Sequence, residues 1–159
     1  MSSEILGKKI SWMTSHIEVD FPTRESVLGK AIYLDLMEAS STEALTGEIA
    51  AKTGIEWLQA DFHKMTVMFA DHFSNNVQLP TQSQGLLLEF LAQIILDKEA
   101  SQLWLAFNDG QVVATAIVTQ MDKQILISDF QLADKHKLGS LIQQIGGLHN
   151  TIWLQAVQS

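Results

Sequence analysis

An α+β fold, a mainly antiparallel sheet packed with helices, is predicted by three features of the chain. Residues 102–132 read as three short strands joined by tight turns. A last apolar run, Thr151 to Val157, closes the chain as a further strand, and helical-period segments fill residues 24–97 and 138–146. The strand evidence is the sharpest. Leu103 to Phe107 and Val112 to Val118 are rich in β-branched and aromatic residues, and Asn108-Asp109-Gly110 between them is a strong hairpin signal. Gln124 to Leu132 follows a polar turn at Met121-Asp122-Lys123 and leads into a helix with Leu138, Leu141, Ile142 and Ile145 on one face.

Upstream, Ile10 to Val19 alternates imperfectly and carries Ser, Thr, Ile and Val, which predicts a strand ended by Phe21-Pro22-Thr23. Thr23 caps a helix from Arg24 to about Glu38, with Val27, Ala31 and Leu34 at helical spacing. After Ser40-Ser41-Thr42 a short helix reaches Lys52 and stops at Thr53-Gly54-Ile55. A longer helix from Glu56 to Phe73 is expected next, because Leu58, Phe62, Met65, Phe69 and Phe73 fall on one face. Ser83 to Asp97 reads as a helix apolar on most sides and hence deeply packed. With no repeat or linker in sight, residues 1–159 are expected to form one domain, mostly helical over 1–98 and sheet-rich over 99–159.

Composition narrows the function classes. The chain has 159 residues, 47% of them hydrophobic, and a net charge of -8. That field repels phosphate backbones and disfavours nucleic acid and anionic membranes as partners. The absence of cysteine removes disulfides, thiolate metal sites and a cysteine nucleophile together and fits an intracellular, cytoplasmic protein. Met1 to Trp12 lacks the apolar core of a signal peptide, and Leu86 to Leu96 is far shorter than the ~20 residues of a membrane span.

Phe90-Leu91-Ala92 with Asp97-Lys98-Glu99-Ala100, then Leu103-Trp104-Leu105-Ala106 and Asn108-Asp109-Gly110-Gln111-Val112-Val113, have the cadence of a helix, a strand, an acidic-Gly turn and a second strand. Over residues 86–157 the chain resembles a divergent member of the GNAT superfamily of acyl-CoA N-acyltransferases. The resemblance implies acetyl-CoA or another acyl-CoA as cofactor and an amine as acceptor. It would place the pantetheine arm along the backbone near Ser128, Phe130 and Leu132, and the phosphates at Lys135, Lys137, Leu138, Gly139 and Ser140. In the family that loop carries an Arg or Gln, two residues, Gly, one residue and Gly or Ala. Here Gly139 alone matches, and Asp134 stands near the Arg or Gln position. The family continues into another helix and two strands that usually supply a Tyr general acid. This sequence ends at Ser159 with its one tyrosine, Tyr33, far upstream, so the fold is expected to be incomplete at the C-terminus, with the amino-terminal strand or a partner subunit completing the sheet.

The candidate base is Asp129. Strict alternation puts it on the face of Ile127 and Gln131, where it either lines a cleft and takes a proton from an amine or simply faces water. Glu18 is a second candidate. His63 and His72, flanked by Asp61 and Asp71, fall on opposite sides of the predicted helix, and His16, His136 and His149 are scattered, so no metal site is expected. Ser140 lacks the surroundings of a nucleophile. Leu45 to Leu58 looks like a helix-turn-helix, but a recognition helix starting at Glu56 would press carboxylates toward phosphates. An apolar last strand at a sheet edge would favour a homodimer. Three functions follow in order: acyl transfer from acyl-CoA to an amine, a non-catalytic binding or regulatory protein that retains the fold, and a helix-turn-helix DNA-binding regulator.

Overall fold

The computed structural model describes residues 2–97, 99–146 and 150–158; Lys98 and His149 of the sequence reading lie outside them. Among the described residues the chain forms helices α1 (Ser3–Ser15), α2 (Arg24–Ala39), α3 (His63–Asn76), α4 (Thr81–Leu91) and α5 (Gly139–Ile145). The strands are β1 (Ser41–Ala44), β2 (Glu56–Gln59), β3 (Ser101–Asn108), β4 (Gln111–Met121), β5 (Gln124–Gln131) and β6 (Thr151–Val157), with a 3-10 turn at Leu132–Lys137 before α5. They make one six-stranded sheet in the order β1-β6-β5-β4-β3-β2. Four of its pairings are antiparallel and β5–β6 is parallel, the crossover being the 3-10 turn and α5. The architecture is α+β.

Strand alternation divides the core into two layers. Leu103, Leu105 and Ile117 point toward Met13, Tyr33, Phe69, Phe73 and Phe90 of the four larger helices. Trp104, Ala106, Ala116 and Val118 point the other way, toward Leu138 and Leu141 at α5. The predicted hairpin forms as expected. Asp109 and Gly110 both take positive φ (54° and 76°), the backbone of a type I′ turn, and Asp122 (φ 54°) turns the next hairpin. Thr23 caps α2 by accepting from the Ser26 N–H at 3.2 Å. At Gly29 this helix crosses α4 so closely that a Cβ would fall 2.0 Å from the Leu86 carbonyl oxygen.

Several expectations are corrected. The predicted strand over 10–19 is instead the last part of α1 followed by a turn, and the buried residues of α1, Ile5, Lys9, Trp12 and Met13, recur at helical spacing. Residues 42–52 are not a helix: β1 pairs with β6, and residues 45–55 run on without regular structure. The helix expected from Glu56 begins only at His63. Glu56 to Gln59 pairs with Phe107 to Trp104, burying Trp57 while Leu58 stays 42% exposed. The helix-turn-helix therefore does not exist, because its recognition helix is an edge strand. The helix predicted over 83–97 ends at Leu91. Finally, β6 lies between β5 and β1, so it is no open edge and the argument for a dimer from that edge falls.

Candidate functional site

The densest polar chemistry sits where β5 departs from regularity. Ser128 is level with Gln155 of β6 and Phe130 with Ala156, which leaves Asp129 as the extra residue of a bulge. Its φ of 58° is left-handed backbone, which aspartate tolerates better than most residues at a cost of roughly 1–2 kcal/mol. Alternation breaks there. Phe130 joins Ile125 and Ile127 in the layer facing α5, while Asp129 turns toward α1 and α2. Asp129 is thus wholly buried, and neither the cleft-lining nor the water-facing expectation holds.

Three side chains serve its carboxylate. Lys9 Nζ donates to Oδ1 at 3.0 Å, Tyr33 Oη donates to Oδ2 at 2.7 Å, and Ser128 Oγ donates to Oδ1 at 2.5 Å. The Asp129 carbonyl accepts from Thr115 Oγ1 at 2.9 Å, beyond the last β4–β5 pair at Ile117 and Ser128. Lys9 spends its other two protons on Gln155 Oε1 at 2.6 Å and Met37 Sδ at 3.0 Å, and its Nζ lies 5.8 Å from the centre of the Tyr33 ring. Gln155 in turn donates to Ser40 Oγ at 2.8 Å.

Burial of this kind is tolerated only because the charges are paired and bonded. Desolvation pushes the Lys9 ammonium down from its ordinary value, and Asp129 opposes that by charge and hydrogen bond. The Tyr33 phenol is held well above 10 by burial first and by the Asp129 charge next. It is a fixed donor.

The residues expected to hold phosphates lie on the opposite face and are not assembled for that task. Lys135 pairs with Glu43 at 2.6 Å, and Lys137 pairs with Asp134 at 2.7 Å and donates to the Val113 carbonyl. Leu138 is buried, and Ser140 Oγ is buried without a partner among the described residues. Gly139 is covered by the chain itself. A Cβ there would fall 2.3 Å from the Ala50 carbonyl oxygen and 2.5 Å from that of Ile49. A groove of about 480 Å³ adjoins this contact, lined by Leu45, Ile49, Ile142 and Ile152, and Glu48 is its charged residue among the described ones. Leu132, at the end of β5, is 46% exposed, and β6 runs along the strand edge where a pantetheine was expected.

Of the remaining candidates, Glu18, His63 and His136 are exposed and gather no partners into a site among the described residues. His16 Nδ1 accepts the Ile95 N–H at 3.1 Å, and burial lowers its pKa. Among the described residues no group of three or more His, Asp or Glu could hold a metal ion, and no helix is long and apolar enough to cross a membrane. Sequence reasoning missed Lys9, Met37, Gln155 and Thr115, and it set Tyr33 aside as remote. One signal was available. Lys9 stands in a helical stripe with Ile5, Trp12 and Met13, a charged residue at a core position.

No family model matches the chain, and no curated protein is significantly similar to it. Among solved structures it is similar to a functionally unknown conserved protein from Staphylococcus epidermidis ATCC 12228, at 16% identity and TM-score 0.50, over 86% of this chain and 58% of that one. A weaker likeness, at 14% identity and TM-score 0.36, is to an acetyltransferase from Streptococcus agalactiae 2603, over 59% of this chain and 64% of that one. The chain spans less than two thirds of either protein. The first likeness concerns the fold alone.

Proposed function

We propose that the chain is a non-catalytic binding or regulatory protein that keeps an acyltransferase-like fold while its own residues fill the route an acyl-CoA would take. The observation that carries this reading is the contact at Gly139. A pyrophosphate needs converging N–H groups and small residues around it. The atoms pressed against Gly139 are instead the carbonyl oxygens of Ile49 and Ala50, which repel an anion. Two further features agree with it. Lys135 and Lys137 are each neutralised by a carboxylate, and Asp129 has its carboxylate engaged by Lys9, Tyr33 and Ser128.

Titration calorimetry of the purified protein with acetyl-CoA, with desulfo-CoA and ATP as controls, tests it. The expected result is no saturable heat at millimolar ligand. Saturable binding that weakens in Lys137→Glu would overturn it.

One observation favours acyl transfer to an amine as the second reading: Asp129 already holds an ammonium at 3.0 Å, the relation a general base has to its amine. In that reading segment 45–55 lifts off Gly139. That reading also requires β6 to part from β5 and Lys9 to leave Asp129, so that Ser128, Phe130 and Leu132 line the pantetheine and Lys135, Lys137, Leu138, Gly139 and Ser140 receive the phosphates. Thiol release from acetyl-CoA across a panel of primary amines, abolished by Asp129→Asn, is its signature.

A further inference from the structure

Lys9 is the only lysine whose ammonium is wholly buried among the described residues, and everything around that ammonium suits a cation. A carboxylate oxygen, an amide oxygen and a thioether sulfur accept its three protons, at 3.0, 2.6 and 3.0 Å, and an aromatic ring lies at 5.8 Å. These groups come from β5, β6 and α2. None belongs to α1, which supplies only the cation. The acceptors are themselves fixed from outside: Asp129 by Tyr33 and Ser128, and Gln155 by Ser40. Asp129 and Gln155 are therefore held by the body of the fold as well as by the lysine.

We propose that Tyr33, Met37, Asp129 and Gln155 form a binding site for a primary alkylammonium group, and that α1 fills it in cis with Lys9 as a tethered occupant. An external ligand of this class, such as a lysine side chain or an aliphatic amine, competes with α1 for the same acceptors. The inference deepens the binding-protein reading by naming a ligand class, and it does not depend on whether acyl-CoA binds. A tether raises the effective concentration of Lys9 into the millimolar range or above, so the intact protein resists small amines. Displacing α1 also exposes Ile5, Trp12 and Met13, which adds to that resistance. A further polar link from α1 to the sheet is Lys8 Nζ donating to the Gln120 carbonyl at 2.6 Å, at the surface.

Truncating Lys9 to alanine removes the atoms of n-propylammonium and leaves a space of that shape. The full-length Lys9→Ala variant is heated with n-propylammonium chloride, n-propanol or tetramethylammonium chloride at constant ionic strength. We expect a saturable rise in melting temperature with propylammonium, absent in wild type and in Lys9→Ala/Asp129→Asn. Apparent affinity for propylammonium should exceed that for propanol at least tenfold. An equal response to propanol marks an ordinary cavity and overturns the proposal, as does a response that survives Asp129→Asn or no response in Lys9→Ala. Should Lys9→Ala not fold, it is refolded with each additive. Recovery of near-ultraviolet dichroism with propylammonium only supports the site, and no recovery overturns it. No acyl-CoA is present, so failure here is distinct from failure of the calorimetric test.

Discussion

The two faces of β5 carry two sets of charges that look alike in the sequence and differ in kind in the fold. Toward α1 and α2, Lys9 and Asp129 are stripped of water and bonded on every side. Toward α5, Lys135 of the 3-10 turn pairs with Glu43 at the surface, the two side chains being 41% and 59% exposed, while Lys137 and Asp134 pair half-buried. The difference teaches that charge spacing along the chain says little about coupling. The depth of the pair sets its strength, because screening by water and salt erases most of an exposed pair and little of a buried one.

The largest effect should come from breaking the buried pair. Asp129→Ala leaves the Lys9 ammonium buried with no counter-charge and removes the acceptor of Tyr33 and Ser128, so we expect a loss of roughly 3–5 kcal/mol in urea unfolding. Replacing both partners, as Lys9→Met with Asp129→Leu, should cost far less than the single change. If the single and double variants lose equal stability, the pair is not coupled and the contrast between the two faces collapses.

Tyr33→Phe deletes one hydrogen bond to a charged group and should cost about 1.5–3 kcal/mol near neutral pH. The phenol's folded pKa is raised, so above pH 10 the unfolded chain loses this proton while the folded chain keeps it. The folded state then binds more protons than the unfolded one, and stability falls as pH rises past 10. That loss is absent in Tyr33→Phe. The gap between wild type and variant should therefore narrow from pH 10 upward, and a gap that widens would mean the phenol is not held protonated.

On the α5 face the contact that matters is steric. Gly139→Ala forces a methyl against the Ile49 and Ala50 carbonyls and should cost roughly 1–3 kcal/mol as overpacking, or displace segment 45–55. Limited proteolysis separates the two, since a displaced segment gains cleavage after Lys52. An unchanged midpoint and digestion pattern would show that the segment does not rest on Gly139.

The meander was legible because each strand carries its own evidence: a run of β-branched and aromatic residues, and a turn at Asp109-Gly110 that needs two positive φ values. The edge strands were not. Four residues at Ser41–Ala44 and four at Glu56–Gln59 are too few for a period, and their structure is decided by partners at β6 and β3. The first helix was misread because Ile10 to Val19 carries β-branched and hydroxyl residues in imperfect alternation, while the helical stripe of Ile5, Trp12 and Met13 includes Lys9, and a lysine argues against burial until its acceptor is known. That acceptor lies 120 residues downstream. Asp129 could be singled out as a carboxylate of interest, yet its orientation depends on a bulge that no residue type announces.

The smallest effect should come from the exposed pair. Lys135→Gln removes the contact with Glu43, and because both side chains keep access to water the cost should be no more than ~0.5 kcal/mol at low salt. At 1 M NaCl the Debye length is about 3 Å, and that small difference should vanish. The loss in Asp129→Ala should persist there almost in full, since salt does not reach a pair sealed between α1 and the sheet. Unfolding midpoints of the two variants against wild type, across a salt series, thus place both faces on one axis. Parallel salt dependence would mean that the Lys9–Asp129 pair is wet, and with that the tethered-ammonium site loses its physical basis.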